Sequence, residues 1–209
     1  MINIVDYGAS NARSIVNMLN KLNIKAIITA NPDEIEKADR IILPGVGHFQ
    51  HGMSAMRASG VVPALTKRVM ESNVPVLGIC LGAQFMLEGS EESEIDGLGW
   101  VPGKSVRFRE DRLGSKLRVP HMGWADTVAI RNVPPFTPLE ESTRFYYVHS
   151  YHFACSESSD VFLSACHGEP FEAGFVRGNI VGVQFHPEKS HRFGMQFLRA
   201  FASWRPLLS

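Results

Sequence analysis

The stretch Val74-Pro75-Val76-Leu77-Gly78-Ile79 contains no polar side chain. A strand with one wet face alternates apolar and polar residues, so a run without alternation needs cover on both faces, as in a parallel sheet wrapped by helices. The preceding sequence supplies such units. Ile2 to Asp6 is a short apolar run ended by Tyr7-Gly8, and Ile15, Met18, Leu19 and Leu22 then recur at the spacing of one helix face. Ile24 to Thr29 reads as a second strand, and Asn31-Pro32-Asp33-Glu34 has the cap and first-turn chemistry of a helix start. Arg40 to Leu43 is a third strand, stopped by Pro44-Gly45, and Val61 to Glu71 is helical. Alternating strands and helices predict a parallel sheet with crossover helices.

Beyond Gly97 the chain changes character. Lys104 to Phe108, Leu117 to Val119, Thr127 to Ile130 and Phe145 to His149 are short extended segments divided by Gly and Pro. Phe171 to Val176 and Ile180 to Phe185 flank Arg177-Gly178-Asn179 and read as a hairpin. Ser190 can cap a last helix whose Phe193, Phe197, Phe201 and Trp204 fall on one face. The expectation is one α/β domain over residues 1–209, a flavodoxin-like open, mostly parallel sheet flanked by helices, with a β-rich second half.

Composition removes other classes. With 209 residues, 44% hydrophobic and 20% charged, the chain can bury a substantial core and is not disordered. The longest stretches free of charged residues, Ile41 to Met56 and Ser72 to Leu87, are too short to span a membrane. Lys plus Arg and Asp plus Glu number 21 each and no basic block stands out, so nucleic acid is not an expected partner. Met1 to Asp6 has no secretory pattern, which predicts a cytoplasmic protein. In a reducing compartment Cys80, Cys155 and Cys166 stay free.

Of the three, Cys80 has the context of a nucleophile. In Gly78-Ile79-Cys80-Leu81-Gly82 it follows the buried strand and precedes a helical run, so the thiol would stand on a tight strand-to-helix turn. The amide of Leu81 and the helix N-terminus would face the sulfur, favouring thiolate and oxyanion. In isolation, a core Cys at a turn is the commoner case. His186-Pro187-Glu188 ends another apolar run, and in extended backbone His186 and Glu188 point the same way. His186 could take the thiol proton and return it to a leaving amine while Glu188 fixes its tautomer; alone, the pair could equally be surface and capping residues. Pro44-Gly45-Val46-Gly47 offers amides for an oxyanion, and Gly45 and Gly47 make the peptide between them easy to rotate. The three elements share one feature: each closes a strand at the end where open parallel sheets place their ligand crevice.

These residues resemble the triad class of glutamine amidotransferases, with their Gly-x-Cys-x-Gly-x-Gln elbow, here Gly78 to Gln84, and a distant His-Pro-Glu. Further marks are similar to the glutaminase subunits of imidazole glycerol phosphate synthase: Asp6-Tyr7-Gly8, Pro44 to Phe49, Pro120-His121-Met122-Gly123-Trp124, Tyr147 to Tyr151, and Gln184 to Lys189. Ala83, where Met is common, and Ala125, where Asn is usual, depart from the pattern. The resemblance implies the class I glutamine amidotransferase fold, no cofactor, and attack of Cys80 on the side-chain amide of glutamine with His186 and Glu188 completing the triad. It implies an oxyanion hole from the amides of Val46 and Leu81, and a glutamine site from Gln84, Glu92, Ser150 and Tyr151. Met122, Trp124, Tyr146 and Lys189 should face a β/α-barrel synthase subunit in a heterodimer that receives the ammonia for histidine biosynthesis. Gln84, Glu88 and Glu92 would share a helix face if the helix after Cys80 continued; otherwise Glu91 and Glu92 are a solvated acidic helix end. A bland alternative makes Trp124 a core aromatic, but a Trp beside Gly in a loop suits an interface anchor better.

Other signals carry less. Gly103-Lys104-Ser105 lacks the first glycine of a phosphate loop, residue 98 being Leu, so no nucleotide site is expected. His149 and His152 have odd spacing, which sends strand residues to opposite faces and disfavours metal binding. Cys155 and Cys166 have no elbow and are expected to be buried structural residues. Two other functions fit parts of the pattern: a glutaminase serving a different acceptor, disfavoured by the Met122 to Trp124 segment, and a silent binding subunit, disfavoured by an intact triad.

Overall fold

The computed structural model describes residues 1–8, 10–113, 117–137, 139 and 143–206. The elements run β1 (Ile2–Val5), α1 (Ala12–Lys21), β2 (Ala26–Thr29), α2 (Pro32–Ile35), β3 (Arg40–Gly45), α3 (Phe49–Ala58), α4 (Val61–Thr66), β4 (Val76–Cys80), α5 (Leu81–Gln84) and β5 (Leu87–Ser90). They continue through β6 (Val101–Arg107), β7 (His121–Ala129), β8 (Arg144–His149), β9 (Tyr151–Cys155), β10 (Val161–His167), β11 (Glu169–Arg177), β12 (Ile180–Val183) and α6 (His191–Ser203). The main sheet path is β2-β1-β3-β4-β12-β11-β10-β7-β8. Pairing is parallel from β2 to β12 and antiparallel from β12 onward.

The unbroken apolar character of the early strands has its cause in two cores. Ile4, Ile42, Leu77 and Ile79 pack with Ile15 and Leu19 of α1 and Phe193, Phe197 and Phe201 of α6. Val5, Ile41, Leu43 and Val76 pack on the other face with Met53 and Met56 of α3 and Leu65 of α4. In the central strands β3 and β4 both faces are covered, so the residues from Ile41 to Leu43 and from Val76 to Ile79 have no polar side chain.

Several expectations need correction. Helix α3 lacked a sequence assignment although Phe49, Met53 and Met56 lie at its helical spacing; His48 caps it by accepting the Gln50 amide at 3.2 Å. Strand β3 runs through Pro44 to Gly45, because Gly45 still pairs with Cys80. Leu117 to Val119 is irregular, and the strand begins at His121, so Met122 and Trp124 lie on β7 rather than a loop. The helix after Cys80 stops at Gln84 and the chain turns into β5, so Glu88 and Glu92 share no helix face with Gln84. Ser190 sits at the N-terminus of α6 without capping it; its hydroxyl instead donates to the His186 carbonyl (2.7 Å) and accepts the Tyr146 amide (2.9 Å). Cys155 is half-buried and Cys166 is exposed, so only Cys80 is a buried cysteine.

Candidate active site

Cys80 is the last residue of β4, with φ 52° and ψ −114°. A positive φ is costly for a residue with a side chain and persists only where its surroundings enforce it. Glycines on three sides do so. A Cβ at Gly78 would lie 2.5 Å from the Ala83 Cα, and one at Gly82 would collide with the Leu43 carbonyl. Ala83 is fully buried, with its backbone against Gly78. Gly45 is needed for the same reason, since its Cβ would lie 2.5 Å from the Gly82 amide nitrogen. Its role is thus close packing rather than rotation; of the two loop glycines, Gly47 has the left-handed backbone, at φ 98°.

Cys80 and His186 are 6% and 1% exposed at the base of a cleft of about 350 Å³. Val46, Gly47, Leu81, Gln84, Glu92, Val148, Ser150, Tyr151 and Lys189 form its walls. His186 Nδ1 lies 2.8 Å from Glu188 Oε1, with both side chains almost completely buried. Pro187 to Lys189 is a short 3-10 turn, so it is this turn, and not extended backbone, that brings Glu188 under the imidazole. Asn11, at the start of α1, donates to the same Glu188 oxygen at 3.3 Å and went unremarked in the sequence because 177 positions separate the two. Burial disfavours the His186 imidazolium, but attraction and hydrogen bonding from Cys80 and Glu188 outweigh it and raise the group to about 10.

Gln184 also went unassigned as a site residue. It is wholly buried and its Nε2 donates to Cys80 Sγ at 3.5 Å. The amide of Gln84 donates to the Tyr151 carbonyl and to Gln184 Oε1, both at 3.1 Å. Glu92 accepts the Phe49 amide at 2.7 Å and stands 4.0 Å from His48, so it braces the N-terminus of α3 at the cleft wall and is no solvated helix end. Glu91 accepts the Arg107 amide at 2.8 Å.

Beside the cleft mouth, Met122 and Trp124 are 63% and 42% exposed. Trp124 stacks on His191 (5.6 Å, 14°) and meets Tyr146 edge-on (6.1 Å, 78°), while the Lys189 ammonium lies 5.7 Å from the Tyr146 ring. Trp124 is therefore not a core aromatic. His149 and His152, expected on opposite faces, both pack on Phe108, at 5.2 and 4.7 Å, because the chain bends at Ser150 between β8 and β9. Gly103-Lys104-Ser105 is extended within β6.

An elbow cysteine and a buried histidine–glutamate pair at one cleft are an arrangement suited to nucleophilic catalysis. The family model for glutamine amidotransferase class-I matches residues 3–203. Imidazole glycerol phosphate synthase subunit HisH 2 of Pseudomonas aeruginosa is 44% identical over 203 residues, 96% of this chain and 98% of that one. The HisH 2 subunit of Methanococcus maripaludis is 42% identical over 202 residues, 96% and 98% of the two chains. A solved glutamine amidotransferase superposes with a TM-score of 0.73 at 19% identity, covering 96% of each chain. The chain belongs to the class-I glutamine amidotransferases and, within them, to the HisH family of imidazole glycerol phosphate synthase subunits.

Proposed function

We propose that this chain, as one glutaminase domain, hydrolyses glutamine to glutamate and ammonia and delivers the ammonia to a β/α-barrel synthase subunit in a heterodimer. The thiolate of Cys80 attacks the side-chain amide carbon of glutamine. The oxygen of the tetrahedral intermediate takes its negative charge into the amides of Val46 and Leu81. Collapse expels nitrogen as ammonia with a proton from His186 and leaves a γ-glutamyl thioester. His186 then takes a proton from water, whose oxygen displaces the sulfur to give glutamate and free Cys80. Glu188 holds the imidazole by Nδ1, so that Nε2 faces the reaction. The carbonyl and amide groups around Ser150 and Tyr151, with Gln84 and Glu92, hold the amino-acid end of the substrate, a task suited to their place on the cleft wall.

The observation that carries this reading is the buried Glu188–His186 pair beside a cysteine in strained backbone at the floor of one cleft. Lys189 links that cleft to the exposed Met122 and Trp124 surface, so a partner seated there would lie next to the site of ammonia release. The ammonia then enters the ring-forming lyase reaction that yields imidazole glycerol phosphate in histidine biosynthesis. Three free cysteines suit the reducing cytoplasm. The test is a glutaminase assay on the chain with and without the barrel subunit and its nucleotide ligand, beside Cys80→Ser. Glutamate release by the wild-type complex and none by Cys80→Ser supports the reading; undiminished release by the variant ends it.

A further inference from the structure

Four buried or half-buried histidines play no part in that reaction. His121, His149, His152 and His167 gather around Phe108, with His121 stacked on His167 at 4.2 Å and 19°. Two of them are hydrogen-bonded in series. His149 Nδ1 lies 2.8 Å from the Tyr151 carbonyl oxygen, and its Nε2 lies 3.2 Å from His121 Nδ1. A carbonyl only accepts, so His149 carries its hydrogen on Nδ1. Burial lowers both rings out of the range in which they charge near neutrality, His167 adding repulsion at each. Neutral His149 thus accepts at Nε2, and His121 donates from Nδ1.

The Tyr151 carbonyl is also the fixed point of a second series. It accepts from Gln84 Nε2, and the other hydrogen of that amide goes to Gln184 Oε1. This sets the orientation of the Gln184 amide and turns its nitrogen toward Cys80 Sγ. One carbonyl therefore determines the direction of every bond along a continuous file: His121 to His149 to the Tyr151 carbonyl, from Gln84 to that carbonyl and to Gln184, and from Gln184 to the nucleophile. At its far end, His121 is the first residue of β7, the strand that exposes Met122 and Trp124.

We propose that His121 is a positioning residue for the thiol of Cys80, acting through His149, the Tyr151 carbonyl, Gln84 and Gln184, and that this file is one route by which a partner on β7 sets the reactivity of the nucleophile. The proposal rests on Cys80 being the nucleophile, but its main readout does not require turnover. If the His121 donor is lost, His149 Nε2 is buried without a partner, and the ring that holds the Tyr151 carbonyl is released. Gln84 and Gln184 then lose the reference that aims an N–H at the sulfur.

The experiment measures the rate of Cys80 alkylation by iodoacetamide against pH, resolved by peptide mapping from Cys155 and Cys166, in the full chain alone and with its barrel partner. His121→Leu should slow alkylation near pH 7 by about 10-fold, the scale of one coupled buried contact. His121→Asn, whose amide reproduces an Nδ1 donor, should restore most of the rate, a rescue that a loss of packing would not show. Gln184→Leu should slow the reaction similarly, and the double variant His121→Leu with Gln184→Leu should be no slower than the worse single one. Wild-type alkylation in His121→Leu, multiplicative losses in the double variant, or no advantage of Asn over Leu would each overturn the relay. Turnover in Cys80→Ser would overturn the glutaminase reading instead, leaving the alkylation result to stand by itself.

Discussion

His186 and His121 are both buried, yet the first is held as the imidazolium and the second as the neutral ring. His186 is raised to about 10 by attraction and hydrogen bonding from Cys80 and from Glu188, whose carboxylate lies 2.8 Å away. His121 meets only neutral rings and a neighbouring histidine, and burial with the repulsion of His167 lowers it to about 4. Burial by itself pushes both downward; what differs is whether an anion shares the burial. The charge of a buried histidine in this chain is therefore set by its neighbours, not by its depth.

The contrast is broken most severely at the charged end. His186→Ala removes base and acid together, and Cys80→Ser removes the attacking sulfur, so each should lower glutamine-dependent turnover by about 10⁴-fold. An electrophilic glutamine analogue should label Cys80 and leave Cys155 and Cys166 unmodified. Labelling found mainly on Cys166, the exposed one, would remove Cys80 from the mechanism.

Glu188→Gln tests whether the anion is what separates the two histidines. The amide keeps the shape but loses the charge, so the fold should survive while turnover falls about 100-fold, less than in His186→Ala. The pH at which His186 titrates, read by NMR of the ring, should drop. An unchanged titration would mean that Cys80 alone holds the proton on His186.

The two groups also move stability in opposite directions with pH. His121 is lowered in the fold, so its contribution is complete above about 6.5, where the unfolded ring is neutral, and is lost as pH falls toward 4. After allowance for solvent screening this amounts to about 2 kcal/mol. His186 is raised, so its contribution is complete below about 6.5 and is lost as pH rises toward 10. Urea unfolding between pH 4 and 10 should show a dome. His121→Asn should flatten its acid side and Glu188→Gln its alkaline side; the reverse pattern would contradict both assignments.

How much of this is written in the sequence differs between the same two regions. The elbow is legible because Gly78, Cys80 and Gly82 fall within five residues, and the close packing that the glycines permit is local. The pairing of His186 with Glu188 is legible for the same reason, although a 3-10 turn produces it rather than a strand. The neutral cluster is not, because residues 108, 121, 149, 152 and 167 come from separate segments and meet only when β6 to β10 assemble. The odd spacing of His149 and His152 even pointed the wrong way, since periodicity holds only while a strand is straight and this one bends at Ser150. Asn11 and Gln184 were missed on the same ground: an isolated Asn or Gln has no pattern until its partner is known.

The smallest expected effect concerns how a partner reaches the charged end. Trp124 pairs with Tyr146 across β7 and β8, and the Tyr146 backbone is fastened to the triad turn twice. Its carbonyl accepts the His186 amide at 2.9 Å, and its amide donates to Ser190, whose hydroxyl holds the His186 carbonyl. The Tyr146 backbone thus connects the strand partner of Trp124 to the backbone of His186 through two sets of hydrogen bonds. On the opposite wall the exposed Val46 lies next to Gly47, a left-handed residue without a Cβ, at which a change of peptide orientation carries a low steric cost. An isolated chain that keeps the Val46 amide away from the oxyanion would hydrolyse glutamine weakly, and a liganded partner would shift the population toward the competent loop. Stimulation of about 100-fold corresponds to roughly 2.7 kcal/mol of barrier. Trp124→Ala should remove about 10-fold of it, half of that free energy, with the proposed Lys189 and Met122 contacts supplying the rest. Labelling of Cys80 by the glutamine analogue in the isolated chain should not change, since the nucleophile and its histidine are untouched. Full activity in the lone subunit, indifferent to partner and ligand, would show that the triad is already competent at rest and that Trp124 only docks.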